Sequence, residues 1–326
     1  MAPMSVTFSR PVLAIFGPTA SGKTAVAEAV AARIPATLIS ADSMQVYRGL
    51  PILTNQPERP AQLAAMWELD HEASVGEYAR LAHAAIDDAL AAQRTPIVVG
   101  GTGLYLRAAL ADLQLPPPAS RARREHFERL YDSLGADRAH AALAERDASA
   151  ADVVHANDRR RVVRALELAE LGESLAPQSS RLWTDEMRQP TLVFGLEVSK
   201  EILSRRIEAR TKRMFDRGVE EEAARALARA PSGTARQVIG LREVTRLARD
   251  EAIAAVTRRT GQYAAYQRKW MRRIPGLVIL DADRSPDGVA QELLAVAAER
   301  FPLLRQQEES SSGIRNGEAD QTGHAV

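Results

Sequence analysis

The chain has no cysteine, and this absence excludes several kinds of chemistry. Disulfides, thiolate metal centres and cysteine nucleophiles are ruled out, and a cytosolic address fits a chain without disulfides. No apolar run approaches the ~18 residues that a membrane-spanning helix needs. Residues 1–10 also lack the long apolar core of a signal peptide. We therefore expect a cytoplasmic protein that does not enter a membrane.

The chain also lacks an excess of either charge, because its formal net charge is only +1. Its six histidines show no metal-ligand spacing, so none is assigned a role. The distribution of charge is less even than the total. Residues 202–273 contain 18 Lys and Arg against 8 Asp and Glu. Such a segment can consist only of solvated helix faces, but a basic excess of this length favours a polyanionic partner.

What the chain does contain is a complete phosphate-binding loop. Gly17–Thr24 fits G-x-x-x-x-G-K-[ST] at every fixed position, follows the apolar run Val12–Phe16 and precedes a helical pattern at Ala25–Arg33. Backbone N–H groups of such a loop surround a phosphate, the lysine adds a point charge and the final hydroxyl can hold Mg²⁺. The sequence thus predicts a phosphate or diphosphate site formed by Gly17, Pro18, Thr19, Ala20, Ser21, Gly22, Lys23 and Thr24, with Thr24 as the metal ligand.

The acidic partner of this loop is ambiguous in the sequence. Many P-loop proteins hold their metal with an acid at the end of a second apolar strand. Here the strand-like Pro96–Gly100 ends in Gly101-Thr102-Gly103 instead. Asp42 does stand at a strand end, after Thr37–Ser40. It can serve the metal or act as a base, and both roles stay open.

Short apolar segments alternate with helical patterns, which predicts an α/β fold. We expect a P-loop NTPase-like parallel sheet with helices on both faces and a helical insertion. The P-loop, Asp42 and Thr102 all follow strand ends, so they should converge on one crevice. The predicted strands are Val12–Phe16, Thr37–Ile39, Ile97–Val99, Thr191–Val198 and Leu277–Leu280.

The domain organisation follows from a long interval without strand character between the third and fourth predicted strands. Helical patterns fill that interval and return after the fourth strand, at Lys200–Arg229, Ala235–Ala248 and Glu251–Arg273. We expect a first part of the core over residues 1–118, a helical insertion over 119–190 and a second part of the core over 191–305. Residues 306–326 are polar and serine-rich, which predicts a disordered tail.

Taken together with the P-loop, a series of later segments resembles the tRNA dimethylallyltransferase family. The resemblance extends over residues 11–300, and it rests on the joint order and spacing of its parts. These parts are Ile39–Ser43 through Tyr47, Val98–Tyr105, Asn157-Asp158 with Arg161 and Arg164–Glu167, Arg210 with Met214 and Gly218, Val238–Glu243, and Gln262–Ala264 with Gln267 and Trp270.

This resemblance implies a reaction. Members of the family transfer the dimethylallyl group of dimethylallyl diphosphate to N6 of adenosine 37 in tRNA and release diphosphate, with Mg²⁺ as cofactor. The P-loop then holds a leaving group, whose charge grows as the allylic C–O bond breaks. The resemblance makes Asp42 the general base, Thr102 a hydrogen-bond donor near the bridging oxygen and Arg210 a further cation on the diphosphate. Thr102 has an alternative role as the cap of the helix that starts at Gly103.

The same resemblance implies that the insertion binds the anticodon stem-loop. For each arginine concerned, an ordinary solvated surface charge is the alternative, and Asn157-Asp158 is expected to cap a helix rather than touch RNA. We expect a monomer. The implied tRNA contacts are Asp42, Ser43, Met44, Gln45, Thr102, Arg124, Arg160, Arg161, Val162, Val163, Arg164, Gln237, Val238, Ile239, Gly240, Leu241 and Arg242.

Two segments depart from the family pattern. Leu53 and Gln56 stand where a glycine and a lysine are usual, and Gly261, Ala265 and Tyr266 stand where the family often has Arg, Lys and Arg. Positive charge is therefore lost near the implied RNA surface. Separately, an aromatic trio on one predicted helix face indicates core packing by its i, i+3, i+7 spacing: Tyr263, Tyr266 and Trp270.

Three alternatives to tRNA prenylation remain. A P-loop small-molecule kinase predicts ATP turnover and leaves the insertion and the basic helices without a role. An adenylate isopentenyltransferase would use the same chemistry on free AMP and needs no anticodon platform. A non-catalytic RNA-binding protein would not need the intact combination of Lys23, Thr24, Asp42 and Thr102.

Overall fold

The structure, a computed structural model, describes residues 10–113, 115, 120–176 and 184–304. The tail predicted for residues 306–326 lies outside the described residues. Within them, one parallel sheet has the strand order β2-β3-β1-β4-β5. Its strands are β1 (Val12–Phe16), β2 (Ala36–Ser40), β3 (Thr95–Gly100), β4 (Thr191–Glu197) and β5 (Val278–Asp281).

Both faces of this sheet are covered by helices. Along β1, Val12, Ala14 and Phe16 belong to one hydrophobic cluster, while Leu13 and Ile15 belong to a second one. Successive side chains of a strand point to opposite faces, so a strand buried on both sides has a continuous apolar sequence. The first cluster includes α2 (Val75–Ala91) and α3 (Gly103–Leu110), and the second includes α1 (Lys23–Ala31) and α12 (Pro286–Arg300). The predicted fold class is confirmed.

The segment after β4 is helical, as predicted, but it is divided more finely than the patterns indicated. Gly218 has a φ of 84°, and it separates two helices within the predicted pattern Lys200–Arg229. A left-handed residue at this point suits glycine and ends the first helix. The elements are α8 (Lys200–Asp216), α9 (Val219–Ala228), a 3₁₀ turn (Ala235–Gln237), α10 (Leu241–Arg246) and α11 (Arg249–Met271).

The chain divides into two compact units. The sheet unit contains the described residues up to Asp112 and from Asp185 onward, and the helical unit lies between Leu113 and Thr184. The helical unit has its own hydrophobic core, to which Phe127, Leu143 and Leu166 contribute. Its helices are α4 (Arg121–Leu134), α5 (Ala136–Arg146), α6 (Ala148–Val153) and α7 (Arg159–Ala169).

The boundaries of the helical unit differ from the predicted 119–190. Residues 185–190 belong to the sheet unit, where the Arg188 guanidinium lies 2.6 Å from the Asp87 carboxylate. The backbone N–H of Val12 donates to the carbonyl of Pro190 over 2.8 Å. Polar loop composition gave no sign of these contacts. Among the described residues, no helix is long and apolar enough to cross a membrane.

Candidate active site

The P-loop joins β1 to α1, as the motif requires. The Lys23 ammonium donates to the carbonyl of Pro18 over 3.0 Å. Two buried polar atoms near the loop have no hydrogen-bond partner among the described residues: Ser21 Oγ of the loop and Arg210 Nε of α8. Leaving buried polar groups unpaired is costly, and an oxygen-rich anion would satisfy both. The amides of the first turn of α1 also lack intrahelical partners, which suits an anion at this point.

The electrostatics of this site involve two cations and one carboxylate. Burial and, to a smaller extent, Arg210 lower the pKa of Lys23 to about 8, while the Asp42 carboxylate opposes this shift. Burial likewise lowers the pKa of Arg210, and Asp42 raises it. Lys23 therefore remains mostly protonated at neutral pH. Two desolvated cations beside a single carboxylate leave surplus positive charge for a polyanionic ligand.

The carboxylate and hydroxyl groups after β2 and β3 form a connected cluster. Asp42 Oδ1 accepts from the backbone N–H of Met44 over 2.9 Å. Thr102 Oγ1 accepts from the backbone N–H of Ser43 over 3.2 Å and lies 3.2 Å from Ser43 Oγ and 3.2 Å from the Tyr263 hydroxyl. This cluster joins the loops after β2 and β3 to α11.

The capping role considered for Thr102 is wrong for its side chain. Thr102 does occupy the N-cap position of α3, but its hydroxyl makes no capping hydrogen bond. The hydroxyl is instead directed to Ser43 and Tyr263. Sequence alone could not separate the two roles, because a threonine before a helix fits both.

Gln267 of α11 links the P-loop to the loop after β3, and the sequence gave it no role. It is 2% exposed; its Oε1 accepts from the backbone N–H of Thr19 over 2.7 Å, and its Nε2 donates to the carbonyl of Gly101 over 2.8 Å. A Cβ at Gly101 would lie 2.1 Å from Gln267 Nε2, and one at Gly103 would lie 2.1 Å from the Trp270 ring. The glycines of this loop therefore allow α11 to approach closely.

The predicted core packing of the aromatic trio on α11 is wrong for Tyr266. Its side chain is 54% exposed, while Tyr263 and Trp270 are half-buried. The Tyr263 hydroxyl lies 3.2 Å from Thr102 Oγ1, and of the three rings Trp270 packs against the core of the sheet unit. Helical spacing alone does not show which members of such a face are exposed and which pack in a core.

The segment after Asp42 is held by side-chain amides. The Gln45 amide group donates to the carbonyl of Asn55 over 2.9 Å, and its oxygen accepts from Ser40 Oγ over 3.2 Å. Gln56 donates to the carbonyl of Tyr47 over 2.7 Å. Gln45 therefore supports its own loop, and Gln56, which replaces the usual lysine, ties the same loop together.

Leu53, the other departure in this segment, is buried. A Cβ at Gly240, whose φ is 97°, would lie 2.8 Å from Leu53 Cδ1, so the leucine fills space that this glycine leaves. The Glu222 carboxylate accepts from the backbone N–H groups of Ile52 and Leu53 over 2.9 and 2.7 Å. Burial raises the pKa of Glu222, and these two hydrogen bonds oppose the rise.

In the helical unit, the implied tRNA residues separate into exposed, paired and buried groups. Arg160 and Arg161 are exposed on α7. Arg124 and Arg164 pair with the fully buried Glu167 carboxylate over 3.2 and 2.9 Å. The predicted cap is confirmed, because the Asp158 carboxylate accepts from the backbone N–H of Arg161 over 3.1 Å.

Two side chains of α7 require a correction. Val162 and Val163 are 0% and 3% exposed and belong to the core of the helical unit. They lie within the resembling segment, but their side chains stabilise the helix that carries the arginines. Their side chains are therefore not available to contact tRNA.

The second implied contact segment divides in the same way. Gln237 and Arg242 are exposed, and Ile239 is half-buried. Val238 and Leu241 are 3% and 0% exposed within the core of the sheet unit, so their side chains are also withdrawn as tRNA contacts.

The residues of this site can supply only a few of the ligands that Mg²⁺ needs. Thr24 and Asp42 offer hydroxyl and carboxylate oxygens, the donors that Mg²⁺ prefers. The described residues contain no group of three or more His, Cys, Asp or Glu side chains that could hold a metal ion. Mg²⁺ commonly keeps several waters and binds substrate phosphates through few protein ligands. The site therefore fits a metal held largely by a bound diphosphate.

Comparisons with known proteins identify the relatives of this chain. The IPP transferase family model matches residues 45–274, and the isopentenyl transferase model matches residues 10–63. The tRNA dimethylallyltransferase of Corynebacterium jeikeium is 36% identical over 311 residues, 91% of this chain and 99% of the relative. That of an Anaeromyxobacter species (strain Fw109-5) is 38% identical over 297 residues, 86% of this chain and 98% of the relative.

Solved structures give the same result. The full-length tRNA isopentenylpyrophosphate transferase of Bacillus halodurans matches with a TM-score of 0.63 and 29% identity, over 94% of this chain and 99% of that chain. A eukaryotic dimethylallyltransferase acting on tRNA matches with a TM-score of 0.67 and 25% identity, over 84% of this chain and 74% of that chain. The chain therefore belongs to the tRNA dimethylallyltransferase family, also described as the IPP transferases, and is a prenyltransferase.

Proposed function

We propose that this enzyme transfers the dimethylallyl group of dimethylallyl diphosphate to N6 of adenosine 37 of tRNA and releases diphosphate. The observation that carries the proposal is the position of Asp42. Its carboxylate acts electrostatically on Lys23 and Arg210 of the anion site, and its loop is joined through Ser43 to Thr102. This position supports a role for the Asp42 carboxylate beside the leaving group, where it can act on the incoming amine.

The donor half of the site binds the diphosphate of the prenyl donor. Lys23, Arg210, Ser21 Oγ and the amides at the start of α1 bind its oxygens. Negative charge on these oxygens grows as the allylic C–O bond breaks, so preorganised cations stabilise the transition state more than the ground state. Mg²⁺, held by Thr24 and the diphosphate, supplies further charge neutralisation when it is bound.

The acceptor half removes a proton from the attacking amine. The exocyclic amine of adenine forms a C–N bond to the allylic carbon and loses one proton, which the Asp42 carboxylate accepts. The backbone N–H of Met44 orients that carboxylate by donating to Oδ1. Thr102 donates a hydrogen bond near the bridging oxygen, and its position is held by Ser43 and Tyr263.

Each unit offers exposed residues for tRNA. Arg160 and Arg161 in the helical unit, and Gln237 and Arg242 in the sheet unit, are free to meet phosphates and base edges. Adenosine 37 must leave the anticodon stack before its amine reaches the prenyl carbon. A tRNA substrate also fits the expected cytoplasmic site of action. The monomeric state stays a prediction.

The kinase, adenylate prenyltransferase and RNA-binding alternatives make different predictions. The test incubates the purified protein with Mg²⁺, dimethylallyl diphosphate and an anticodon stem-loop RNA that carries A36-A37, and then measures the mass of the RNA. We expect a gain of one prenyl unit, one diphosphate released per unit, no reaction with free AMP and no ATP hydrolysis. ATP turnover without prenylated RNA would support the kinase instead, and binding without product would support the non-catalytic alternative.

A further inference from the structure

Tyr266 is the most exposed large apolar side chain among the described residues. Its exposed fraction of 54% exceeds those of Val153 and Ile279, at 51% and 49%. Single exposed apolar side chains are common and need no explanation by themselves. Tyr266 differs because of its neighbours, which hold the ring in place and connect it to the acceptor half of the site.

Two aromatic rings flank Tyr266 along α11. The Tyr263 ring is stacked on it at 25° with centroids 6.5 Å apart, and the Trp270 ring meets it edge-on at 70°, also at 6.5 Å. Both distances lie within the range of favourable aromatic pairs. The flanking rings therefore hold the exposed Tyr266 ring in place, which lowers the entropic cost of binding a flat ligand.

Tyr263, three residues before Tyr266, connects it to the acceptor half of the site. The Tyr263 hydroxyl lies 3.2 Å from Thr102 Oγ1, and Thr102 contacts Ser43 beside Asp42. The exposed face of α11 around Tyr266 also carries Gln262, one turn before, and Lys269, three residues later. An amide, an aromatic ring and a cation in one stripe match a base and its phosphate rather than an apolar protein surface.

We infer that Tyr266 is a stacking platform for an unpaired base of the RNA substrate. This inference rests on the proposed function, because it requires a splayed anticodon loop at the acceptor half of the site. The residue stands where the family often has arginine. Stacking by an uncharged ring releases no counterions, so this contact should add nothing to the salt dependence of RNA binding.

The test measures the Kd of the anticodon stem-loop RNA with A36-A37 over a salt series for four variants. Tyr266→Leu keeps apolar area but removes the π-face, so we expect a Kd about 5- to 100-fold higher with an unchanged salt slope. Tyr266→Phe should bind like the wild type. Tyr266→Arg should steepen the slope of log Kd against log salt by about one. Ile279→Ala is the control for a similarly exposed apolar residue, and it should leave the RNA Kd and the salt slope unchanged.

The Kd for dimethylallyl diphosphate and the thermal midpoint are measured for every variant. We expect both to match the wild type, because the Tyr266 ring is exposed and outside the P-loop. Equal RNA affinity of Tyr266→Leu and wild type would overturn the inference while leaving prenylation by the wild type intact. Equal losses of RNA affinity in Tyr266→Phe and Tyr266→Leu would also overturn the inference. So would a loss of RNA affinity that is matched by a loss of affinity for dimethylallyl diphosphate. If the wild type neither binds nor prenylates the RNA, the proposed function fails and the stacking role fails with it.

Discussion

At the scale of single residues, the proposed anion site includes an arginine from an element other than the P-loop. Arg210 lies on α8, and its buried Nε has no partner among the described residues. Asp42 and Arg213 both influence its pKa. The resemblance to a family indicated this residue, while its burial and unpaired donor provide an independent physical reason to expect a ligand there.

Replacing Arg210 by Ala should slow the chemical step. Loss of one preorganised donor to a developing oxyanion costs on the order of 10²–10³ in rate. Arg213→Ala is the matched control, because Arg213 is exposed one turn further along the same helix. The rates of both variants are measured by single-turnover prenylation of the stem-loop RNA at saturating dimethylallyl diphosphate. A normal rate for Arg210→Ala would mean that this guanidinium does not touch the leaving group.

Glu222 provides a prediction about pH and stability. Its pKa is raised in the folded protein, chiefly by burial, so between the unfolded and folded pKa values the folded state holds the extra proton. Stability contributed by this group therefore falls as pH rises through that window, which begins near 4.5. We expect the unfolding free energy of Glu222→Gln to fall less with rising pH than that of the wild type.

Urea unfolding at a series of pH values measures this difference. The control is Glu221→Gln, an exposed neighbour on α9, which should follow the wild-type pH dependence. Parallel wild-type and Glu222→Gln curves would show that the two backbone hydrogen bonds at Ile52 and Leu53 fully offset the burial of the carboxylate.

At the scale of elements, the strands and most helices were predictable because their patterns are strong. Each strand is a short apolar run, and β1 is buried on both faces, so its sequence has no polar residue. The helix break at Gly218 was missed because a single glycine within a helical pattern is also tolerated. The boundaries of the helical unit were shifted because residues 185–190 are polar in sequence yet tied to the sheet unit by Arg188.

The candidate site was predictable only in part. The P-loop is a contiguous motif, so its chemistry is visible in the sequence. Gln267 is different: its two hydrogen bonds join Thr19 and Gly101, which are 248 and 166 residues away in the chain. The side chains of Val162 and Val163 were assigned to RNA because a matched segment does not reveal which of its residues face inward.

The exposed face of α7 gives a prediction for RNA binding. Arg160 and Arg161 are exposed, whereas Arg164 neutralises the buried Glu167, so its removal would disturb folding as well as binding. We therefore expect Arg160→Ala with Arg161→Ala to weaken stem-loop binding and to reduce the salt slope by about 0.7–0.9 for each lost phosphate contact. Donor affinity should not change, because neither arginine belongs to the P-loop site.

The control for this pair is Arg138→Ala with Arg146→Ala, two exposed arginines on α5 of the same unit. Kd values for the stem-loop are compared across a salt series. If the α7 double variant and the α5 double variant give the same line as the wild type, the α7 arginines are ordinary solvated charges.

At the scale of the whole molecule, a nearly neutral chain carries an uneven charge. The basic excess of residues 202–273 lies on α8 to α11, the same elements that supply Arg210, Tyr263 and Gln267 to the candidate active site. Under the proposed function, this charge holds a leaving group at the P-loop and meets an RNA on the exposed helix faces. In the proposed function, Asp42 connects these two activities as the base.

The most direct test is single-turnover prenylation of the A36-A37 stem-loop by wild type and Asp42→Asn, with both substrates saturating. The amide nearly keeps the shape of the carboxylate but cannot accept the proton, so we expect the same diphosphate affinity and a rate lower by about 10²–10⁴. An unchanged rate would contradict the role of Asp42 as base. A collapse of diphosphate affinity instead would mean that Asp42 serves the metal.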